Sequence, residues 1–257
     1  KVVQYRHMLK ILYFDLETSP NVGYTWKKWE TDVIEFIEES YLLCYAYAWN
    51  DGKVKVVSLK DFDGYTPDTP DDKALTTSLW ELFNEADVIV AHNAKGFDIK
   101  YSNGRFLKWG LVPPTTYQVI DTLLISRSKF KLNSNKLDDV AKHLNLKGKA
   151  QTGGFVLWKG CMSGDMQAWA KMIRYNKQDV VLLCQVYYRL RAWMTTHPSL
   201  AYGDLRPHCT LCGSNSVQKR GTEMRGNAES QRWKCNNPHC GANLYTSLKG
   251  AMPLKAR

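Results

Sequence analysis

The feature that most constrains the fold is an apolar run, Ile11–Phe14, that leads into two carboxylates, Asp15 and Glu17. The run predicts a buried strand. Side chains alternate along a strand, so residues two apart share a face, and two carboxylates held there repel each other. A divalent cation removes this conflict, because hard cations such as Mg²⁺ take carboxylate oxygens and often bridge to phosphate. The sequence therefore predicts a metal site suited to phosphoryl chemistry.

The segments that follow alternate between strand and helix signals, which indicates an α/β domain with a mixed sheet. Asp51-Gly52 favours a hairpin turn, and Asp121 is predicted to cap a helix that starts at Thr122. Glu35, Glu38 and Glu39 are interpreted as a solvated helix face. Further strands are predicted at 41–49, 53–59, 87–91 and 117–120, and further helices at 75–86, 98–109, 136–144 and 166–194, the last with an interruption near Asn176.

The positive charge lies mostly in the last third of the chain. Residues 181–257 hold 11 Lys and Arg against 3 Asp and Glu, whereas residues 1–180 hold 24 against 22. A basic appendage on a nearly neutral body favours a polyanionic partner, above all nucleic acid; the alternative is a merely solvated face. No apolar run approaches the roughly 18 residues of a membrane span, and the start is too polar for a signal peptide. We therefore expect no membrane partner and a cytoplasmic location.

Two further segments carry acidic residues where a strand or helix could bring them to Asp15. Residues 91–98 leave a predicted buried strand and place Asp98 at the start of a helix. Tyr175 and Asp179 stand four apart in the long helix and so lie on one of its faces. The chain thus offers a set of carboxylates from distant segments.

Together these motifs resemble the DEDD (DnaQ-like) superfamily of 3′–5′ exonucleases, whose fold is ribonuclease-H-like. The tyrosine of the third motif marks the DEDDy branch, which is similar to the proofreading domains of family B DNA polymerases. The resemblance covers about residues 8–195. The matches are Asp-x-Glu at Asp15 and Glu17, Asn-x-x-x-Phe-Asp at Asn93, Phe97 and Asp98, and Tyr-x-x-x-Asp at Tyr175 and Asp179.

The resemblance implies a catalytic site that holds two Mg²⁺ or Mn²⁺ ions. Asp15 would bridge both ions, Glu17 and Asp179 would bind the ion on the nucleophile side, and Asp98 would hold the ion on the leaving-group side. Tyr175 would orient the attacking water through its hydroxyl, since an ordinary tyrosine pKa near 10 makes it a poor base.

The same resemblance suggests substrate contacts around the carboxylates. Leu16 and Thr18 would lie under the terminal nucleotide, and Asn93 would contact the penultimate sugar or phosphate. Phe97 would stack on a base or belong to the core. His92 is most simply a hydrogen-bonded histidine at a strand end, with substrate binding as the alternative.

Cys209, Cys212, Cys235 and Cys240 form a separate cluster. Paired cysteines in a chain without a signal peptide favour a metal over disulfides. Their arrangement resembles a zinc ribbon, in which thiolates would hold one structural Zn²⁺. The wider second gap leaves His239 as a possible replacement for Cys240, and His208 is a weaker alternative.

The segment between the cysteine pairs and beyond is basic and aromatic, which suits phosphate contacts and base stacking. Trp233 could equally form the core of the ribbon. The residues concerned are Lys219, Arg220, Arg225, Arg232, Trp233, Lys234, Tyr245 and Lys249.

The sequence therefore predicts a ribonuclease-H-like exonuclease domain (1–195), a linker (196–207) and a zinc-ribbon domain that binds nucleic acid (208–257). The expected activity is 3′–5′ hydrolysis of nucleic acid, DNA favoured and RNA possible, to nucleoside 5′-monophosphates. The expected partner is a single-stranded 3′ end, with a polymerase or a replication or repair protein as a candidate in trans. The alternatives are an endonuclease of the ribonuclease-H or resolvase kind, and an inactive fold that serves as a zinc-ribbon adaptor.

Overall fold

Over the described residues (9–148, 153–200, 206–225, 228–248 and 255–256), this computed structural model has a mixed sheet of five strands with helices on both faces. The α/β fold with a mixed sheet that the sequence predicts is confirmed. The strands of the N-terminal part are β1 (Ile11–Thr18), β2 (Val22–Tyr24), β3 (Glu35–Glu38), β4 (Leu42–Trp49), β5 (Lys55–Ser58), β6 (Val88–Ala91) and β7 (Gln118–Asp121).

Strand β1 lies in the middle of the sheet, whose order is β5-β4-β1-β6-β7. Strand β4 runs antiparallel to β1. Strand β5 runs antiparallel to β4, as the hairpin turn at Asp51-Gly52 predicts. Strand β6 runs parallel to β1, and β7 parallel to β6. Alternate residues of β1 enter separate cores: Leu12 and Phe14 pack on one face of the sheet, Ile11 and Tyr13 on the other. Because both faces are covered, the strand is apolar until it reaches Asp15.

The helices are α1 (Lys73–Glu85), α2 (Asp98–Lys108), α3 (Thr122–Lys129), α4 (Leu137–His143), α5 (Phe155–Met162) and α6 (Met166–Leu190). Helix α6 is continuous, so the interruption predicted near Asn176 is wrong. Asn176 is fully buried, and its side-chain amide bonds to β1 instead of disturbing its own helix. Along the described residues, no helix is long and apolar enough to cross a bilayer.

Strands β2 and β3 pair antiparallel as a hairpin apart from the main sheet. The helix face predicted at Glu35 and Glu38 is therefore wrong, since both residues belong to β3. Phe36 and Ile37 lie between them, and aromatic and β-branched residues favour extended backbone. Glu39 follows the strand and is exposed.

The C-terminal part forms an antiparallel sheet in the order β11-β10-β9-β8. Its small core includes Cys209, Leu211 and Leu244, with Trp233 packed against it. Within the linker predicted at 196–207, the Leu200 amide donates to the Thr210 carbonyl at 2.8 Å; residues 201–205, like Lys249, lie outside the described part of the chain. The strands are β8 (Val217–Arg225), β9 (Ala228–Cys235), β10 (Asn243–Ser247) and β11 (Lys255–Ala256).

Candidate active site and metal centres

Three of the predicted catalytic carboxylates meet where β1 ends beneath helix α6. Asp15 and Glu17 come from β1 and Asp179 comes from α6, and each offers an oxygen within 4.8 Å of the other two. Asp179 is almost fully buried, and the two strand residues are partly exposed. Three negative groups so close together repel one another, and an all-oxygen donor set of this kind suits Mg²⁺ or Mn²⁺.

Asp98, the fourth predicted carboxylate, begins helix α2 and lies beside Asp15 rather than within that group of three. It is 3% exposed. Burial raises the pKa of its carboxyl well above the ordinary value, and the negative charge of Asp15 raises it further, although a backbone hydrogen bond from Leu16 acts in the opposite direction. A cation between Asp98 and Asp15 would favour the ionised form of Asp98.

Tyr175 lies on the same face of α6 as Asp179, one turn earlier, and hydrogen-bonds to it. Its ring contacts the edge of Trp158 in helix α5, with ring centroids 6.4 Å apart. Burial raises the pKa of the Tyr175 phenol well above its ordinary value, and the charges of Asp179 and Glu17 add to the rise. The phenol therefore stays protonated at neutral pH, where it can donate a hydrogen bond but cannot act as a base.

Asn176 is a site residue that the sequence did not reveal. Its Nδ2 donates to Asp15 Oδ2 at 2.8 Å and to the Asp15 carbonyl at 3.2 Å. The thiol of buried Cys44 donates to Asn176 Oδ1 at 3.8 Å, which orients the amide with its nitrogen toward Asp15. One sequence signal was available for Asn176: it is a polar residue between Tyr175 and Asp179, on a helix that packs on the core.

The turn after β6 places Asp98 at the start of α2. Asn93 adopts a positive φ of 78°, and its carbonyl accepts from the amides of Gly96 at 3.0 Å and Phe97 at 2.9 Å. A Cβ on Gly96 would lie 2.3 Å from Asn93 Oδ1, so a larger residue at this position would displace the Asn93 side chain. The motif spacing from Asn93 to Asp98 is thus the length of this turn.

Asp121 supports that turn from the neighbouring strand. Its carboxylate caps helix α3 through the amides of Leu123 and Leu124, which confirms the predicted capping role. The same carboxylate also accepts from the amides of Asn93 at 3.1 Å and Lys95 at 3.0 Å. One buried side chain therefore fixes the start of a helix and the loop that leads to Asp98.

The residues predicted to contact substrate lie around the carboxylates but differ in accessibility. Leu16 is buried, Thr18 is half-buried, and Phe97 is 40% exposed with its ring against Tyr101. Both ring nitrogens of His92 are hydrogen-bonded within the protein, Nδ1 to the Thr122 hydroxyl at 2.9 Å and Nε2 to the Asn135 carbonyl at 2.8 Å. This geometry favours the simpler interpretation of His92 as a structural residue at a strand end.

A groove of about 650 Å³ leads away from Asp15 and Asn93. Exposed Arg127 and Lys136 also line this groove, together with the polar residues 133–135 and the carboxylate of Asp138. No sequence motif marks these lining residues, because they come from a loop and from the ends of two helices.

The predicted zinc ligands also converge. The sulfurs of Cys209, Cys212, Cys235 and Cys240 all lie within 4.8 Å of one another, with Cys209 to Cys240 at 3.8 Å and Cys212 to Cys235 at 3.6 Å. A tetrahedral zinc with Zn–S bonds near 2.3 Å places its sulfurs about 3.8 Å apart, so the residues fit this metal.

The alternative zinc ligands do not join that group. His239 is exposed, and His208 is buried with Nδ1 bonded to the Arg206 carbonyl at 2.7 Å. Hydrogen bonds from Cys209 and Cys240 lower the pKa of the Cys212 thiol, whereas hydrogen bonds to Cys212 and Cys240 raise the pKa of the Cys209 thiol. The cluster without a metal therefore favours one thiolate, at Cys212, the form that binds a metal.

With this geometry in view, the comparisons with known proteins assign a family. The family model described as the RNase_H superfamily matches residues 12–191, more than half of the chain, and the chain belongs to that superfamily. A DNA polymerase III PolC-type from Ureaplasma parvum serovar 3 (strain ATCC 700970) is 28% identical over 129 residues, which are 50% of this chain and 9% of the polymerase.

Among solved structures, the family B DNA polymerase from the hyperthermophilic archaeon Pyrobaculum calidifontis is similar with a TM-score of 0.49 and 19% identity. This likeness covers 72% of the present chain and 25% of that polymerase chain. The chain therefore spans only a small part of the length of the polymerases it matches.

Proposed function

We propose that the protein is a metal-dependent 3′–5′ exonuclease of the DEDDy type, which releases nucleoside 5′-monophosphates from the 3′ end of nucleic acid. The convergence of Asp15 and Glu17 of β1 with Asp179 of α6, within 4.8 Å of one another in a fold of the RNase H superfamily, carries the proposal. Tyr175 and Asp98 beside them add support. DNA is favoured as substrate because the curated relative is named as a DNA polymerase, and RNA is the second candidate.

The carboxylates would hold two Mg²⁺ or Mn²⁺ ions. When bound, such a pair activates a water for attack on the phosphodiester and stabilises the departing 3′ oxygen. We assign Asp15 to both ions, Glu17 and Asp179 to the nucleophile side, and Asp98 to the leaving-group side. This order matches the grouping of Glu17 and Asp179 with Asp15 and the separate position of Asp98.

The chain's own residues would align the reactants. The protonated Tyr175 hydroxyl, held by Asp179, can orient the attacking water without removing its proton. Asn176 keeps the Asp15 carboxylate in a fixed direction through its 2.8 Å hydrogen bond. Two cations that line the groove, Arg127 and Lys136, can receive the phosphates of the strand next to its 3′ end.

Leu16, Thr18 and Phe97 are proposed to contact the terminal nucleotides. Leu16 can offer its main chain, and the half-exposed ring of Phe97 is available for stacking. Asn93 would contact sugar or phosphate from its turn. His92 is retained as a substrate neighbour that borders the groove, with its ring nitrogens bonded to protein.

The C-terminal module is proposed to be a zinc ribbon that binds nucleic acid. Lys219 and Arg220 are exposed on β8, and a concave site of about 310 Å³ is lined by Arg220, Arg232 and Trp233. The Arg225 guanidinium lies 3.5 Å from the centre of the Tyr245 ring, so one face of that ring is covered. Trp233 packs against the core, which leaves the cations as the main contacts for phosphate.

The test is a degradation assay on matched 5′-labelled DNA and RNA oligonucleotides with Mg²⁺, Mn²⁺ or EDTA. We expect a ladder of products that shorten by single nucleotides, dependent on metal and abolished in Asp15→Ala. Glu81→Ala, which removes an exposed carboxylate from helix α1, serves as the matched control and should leave the ladder unchanged.

Other outcomes would select the alternatives. Internal cuts without a ladder would indicate an endonuclease of the ribonuclease-H or resolvase kind. Tight binding of the oligonucleotide by both the parent and Asp15→Ala, with no metal-dependent cleavage by either, would indicate an adaptor. A partner polymerase in trans would be identified by faster degradation in its presence.

A further inference from the structure

The hairpin of β2 and β3 exposes two large aromatic side chains at its tip, which we define as residues 25–29 (Thr-Trp-Lys-Lys-Trp). Trp26 is 83% exposed and Trp29 is 87% exposed. Tyr24, in the strand that leads to the tip, is 60% exposed. Exposure of large apolar rings to water is unfavourable in free energy, and exposed apolar patches mark interaction sites. Neither tryptophan has a role in the catalytic site or in the core.

The hairpin tip has a defined shape. The amides of Trp26 and Lys27 donate to a carboxylate oxygen of Glu30 at 3.1 and 3.2 Å. The Thr25 hydroxyl donates to the Lys27 carbonyl at 3.1 Å, and the Glu30 amide donates to the same carbonyl at 3.2 Å. Because these hydrogen bonds already order the backbone of the tip, binding a ligand to the two indoles should cost little further conformational entropy.

The base of the hairpin is tied to the catalytic edge of the sheet. Ser19 directly follows β1, and its carbonyl accepts from the Ser40 hydroxyl at 2.7 Å. Ser40 is also bonded to the Tyr101 hydroxyl at 2.8 Å and, through its carbonyl, to Arg105 at 3.2 Å. Tyr101 and Arg105 belong to α2, the helix that Asp98 begins. The hairpin therefore leaves the fold beside the carboxylates, and Trp26 reaches up to about 16 Å beyond Asn21 at the rise of an extended strand.

Charge along the hairpin favours one kind of partner. Lys27 and Lys28 lie between the tryptophans, and the Lys28 ammonium is 5.1 Å from the centre of the Trp29 ring. The return strand is acidic at Glu35 and Glu38. An anionic membrane surface would be repelled by that strand, whereas a single nucleic-acid strand needs only the tip, where rings can stack on bases and ammonium groups can meet phosphates.

We propose that the hairpin tip is a stacking site for unpaired bases of the substrate strand, upstream of the 3′ end held by the carboxylates. The inference rests on the proposed exonuclease function and adds a second contact point to it. Stacking on Trp26 and Trp29 provides most of the binding, since the acidic return strand limits the electrostatic contribution. The tip therefore serves substrates long enough to reach it and is irrelevant to the shortest ones.

The experiment compares Trp26→Ala/Trp29→Ala with the parent on a 20-nucleotide single-stranded DNA and on a dinucleotide. We expect KM for the long substrate to rise about tenfold or more, the scale of losing a stacked base. We expect kcat and the hydrolysis of the dinucleotide to stay unchanged, and the salt dependence of binding to keep its slope. Trp26→Phe/Trp29→Phe should restore most of the affinity. Trp193→Ala, which removes an exposed tryptophan outside the hairpin, is the matched control.

Several results would overturn the stacking site. The first is an unchanged KM of the double variant for the long substrate. The second is an equal rise of KM for the dinucleotide, which would indicate a structural role of the hairpin tip. The third is a dimer of the parent protein in sedimentation that the double variant does not form. If the parent protein degrades neither substrate, the proposed exonuclease activity is rejected, but the stacking site can still be tested by DNA binding in EDTA. Quenching of tryptophan fluorescence by the 20-mer that is lost in the double variant supports it, and equal quenching in both proteins rejects it.

Discussion

At the scale of single residues, Asn176 is a neutral group that sets the direction of Asp15, a proposed catalytic carboxylate. We expect Asn176→Ala to lower kcat by about 10–100-fold, the usual loss when the hydrogen-bond partner of a metal ligand is removed. Unfolding should also become easier by about 1–3 kcal/mol, because buried acceptors lose their donor. Steady-state kinetics across a Mn²⁺ titration and chemical denaturation measure both effects.

The control for Asn176 is Lys177→Ala, which changes the adjacent exposed residue of the same helix and should leave both quantities unchanged. Full activity of Asn176→Ala at every Mn²⁺ concentration would show that Asp15 needs no such support.

Titration of Asp98 should make the free energy of unfolding depend on pH. Its folded pKa is raised by burial and by the charge of Asp15, so between the unfolded and folded pKa values the native state binds more protons than the unfolded state. Stability of the metal-free protein must then fall as pH rises through that window. Asp98→Asn removes the ionisation and should raise Tm at pH 8 in EDTA while leaving Tm at pH 4 nearly unchanged.

The readout for Asp98→Asn is thermal unfolding at both pH values, together with loss of metal-dependent cleavage. An equal change of Tm at pH 4 and pH 8 would mean that packing, and not charge, decides the difference. Asp63→Asn, at an exposed position, should show no pH-dependent change.

Sequence patterns reveal the acidic residues of the candidate site better than the residues that hold them. Asp15 and Glu17 follow a buried strand, and Tyr175 and Asp179 share a helix face, so local periodicity is enough to place them. Asn176 and the second role of Asp121 depend on contacts across many residues of sequence. No local pattern encodes which distant amide a side chain will meet.

At the scale of elements, the shared carboxylate of Asp121 couples helix α3 to the loop before α2. Asp121→Ala should cost more than an ordinary helix cap, which contributes about 1 kcal/mol, because buried amides in two segments lose their acceptor. The loop would also relax and move Asp98, so kcat should fall as well.

Asp165→Ala is the matched comparison, since Asp165 caps α6 through two amides at an exposed position. It should cost only the ordinary amount and leave kcat unchanged. Equal losses of stability and equal kcat values in the two variants would contradict the coupling. Urea denaturation and oligonucleotide degradation provide the two measurements.

The elements that the sequence predicts well are those with a clear apolar pattern. Strand β4 and helices α1, α2 and α4 lie within one or two residues of their expected bounds. The hairpin of β2 and β3 was not predicted, because its apolar residues face solvent and so lack the alternation that signals a half-buried strand. Its acidic residues suggested a helix face instead.

At the scale of the whole molecule, the proposed zinc ribbon has a small core, so we expect its stability to depend on the metal. We expect Cys212→Ser to lose zinc and to expose residues 206–248 to protease, while the RNase H-like domain keeps its melting transition. Binding of DNA should weaken and depend less on salt, because basic contacts are lost, with kcat retained.

Zinc content, limited proteolysis and DNA binding at several salt concentrations test the ribbon. Cys184→Ser, on α6 outside the cluster, is the matched control. If zinc-free Cys212→Ser binds DNA with unchanged affinity and unchanged salt dependence, the proposed role of the ribbon in DNA binding is wrong.

The central position of β1 in the sheet should make it one of the parts of the protein that resist local unfolding. A strand bonded to neighbours on both sides and covered on both faces is among the last parts of a protein to exchange its amide hydrogens. The carboxylates of Asp15 and Glu17 are carried by this strand. Breathing of the hairpin or of the edge strands should therefore leave the geometry of these two groups intact, so that only global unfolding disperses them.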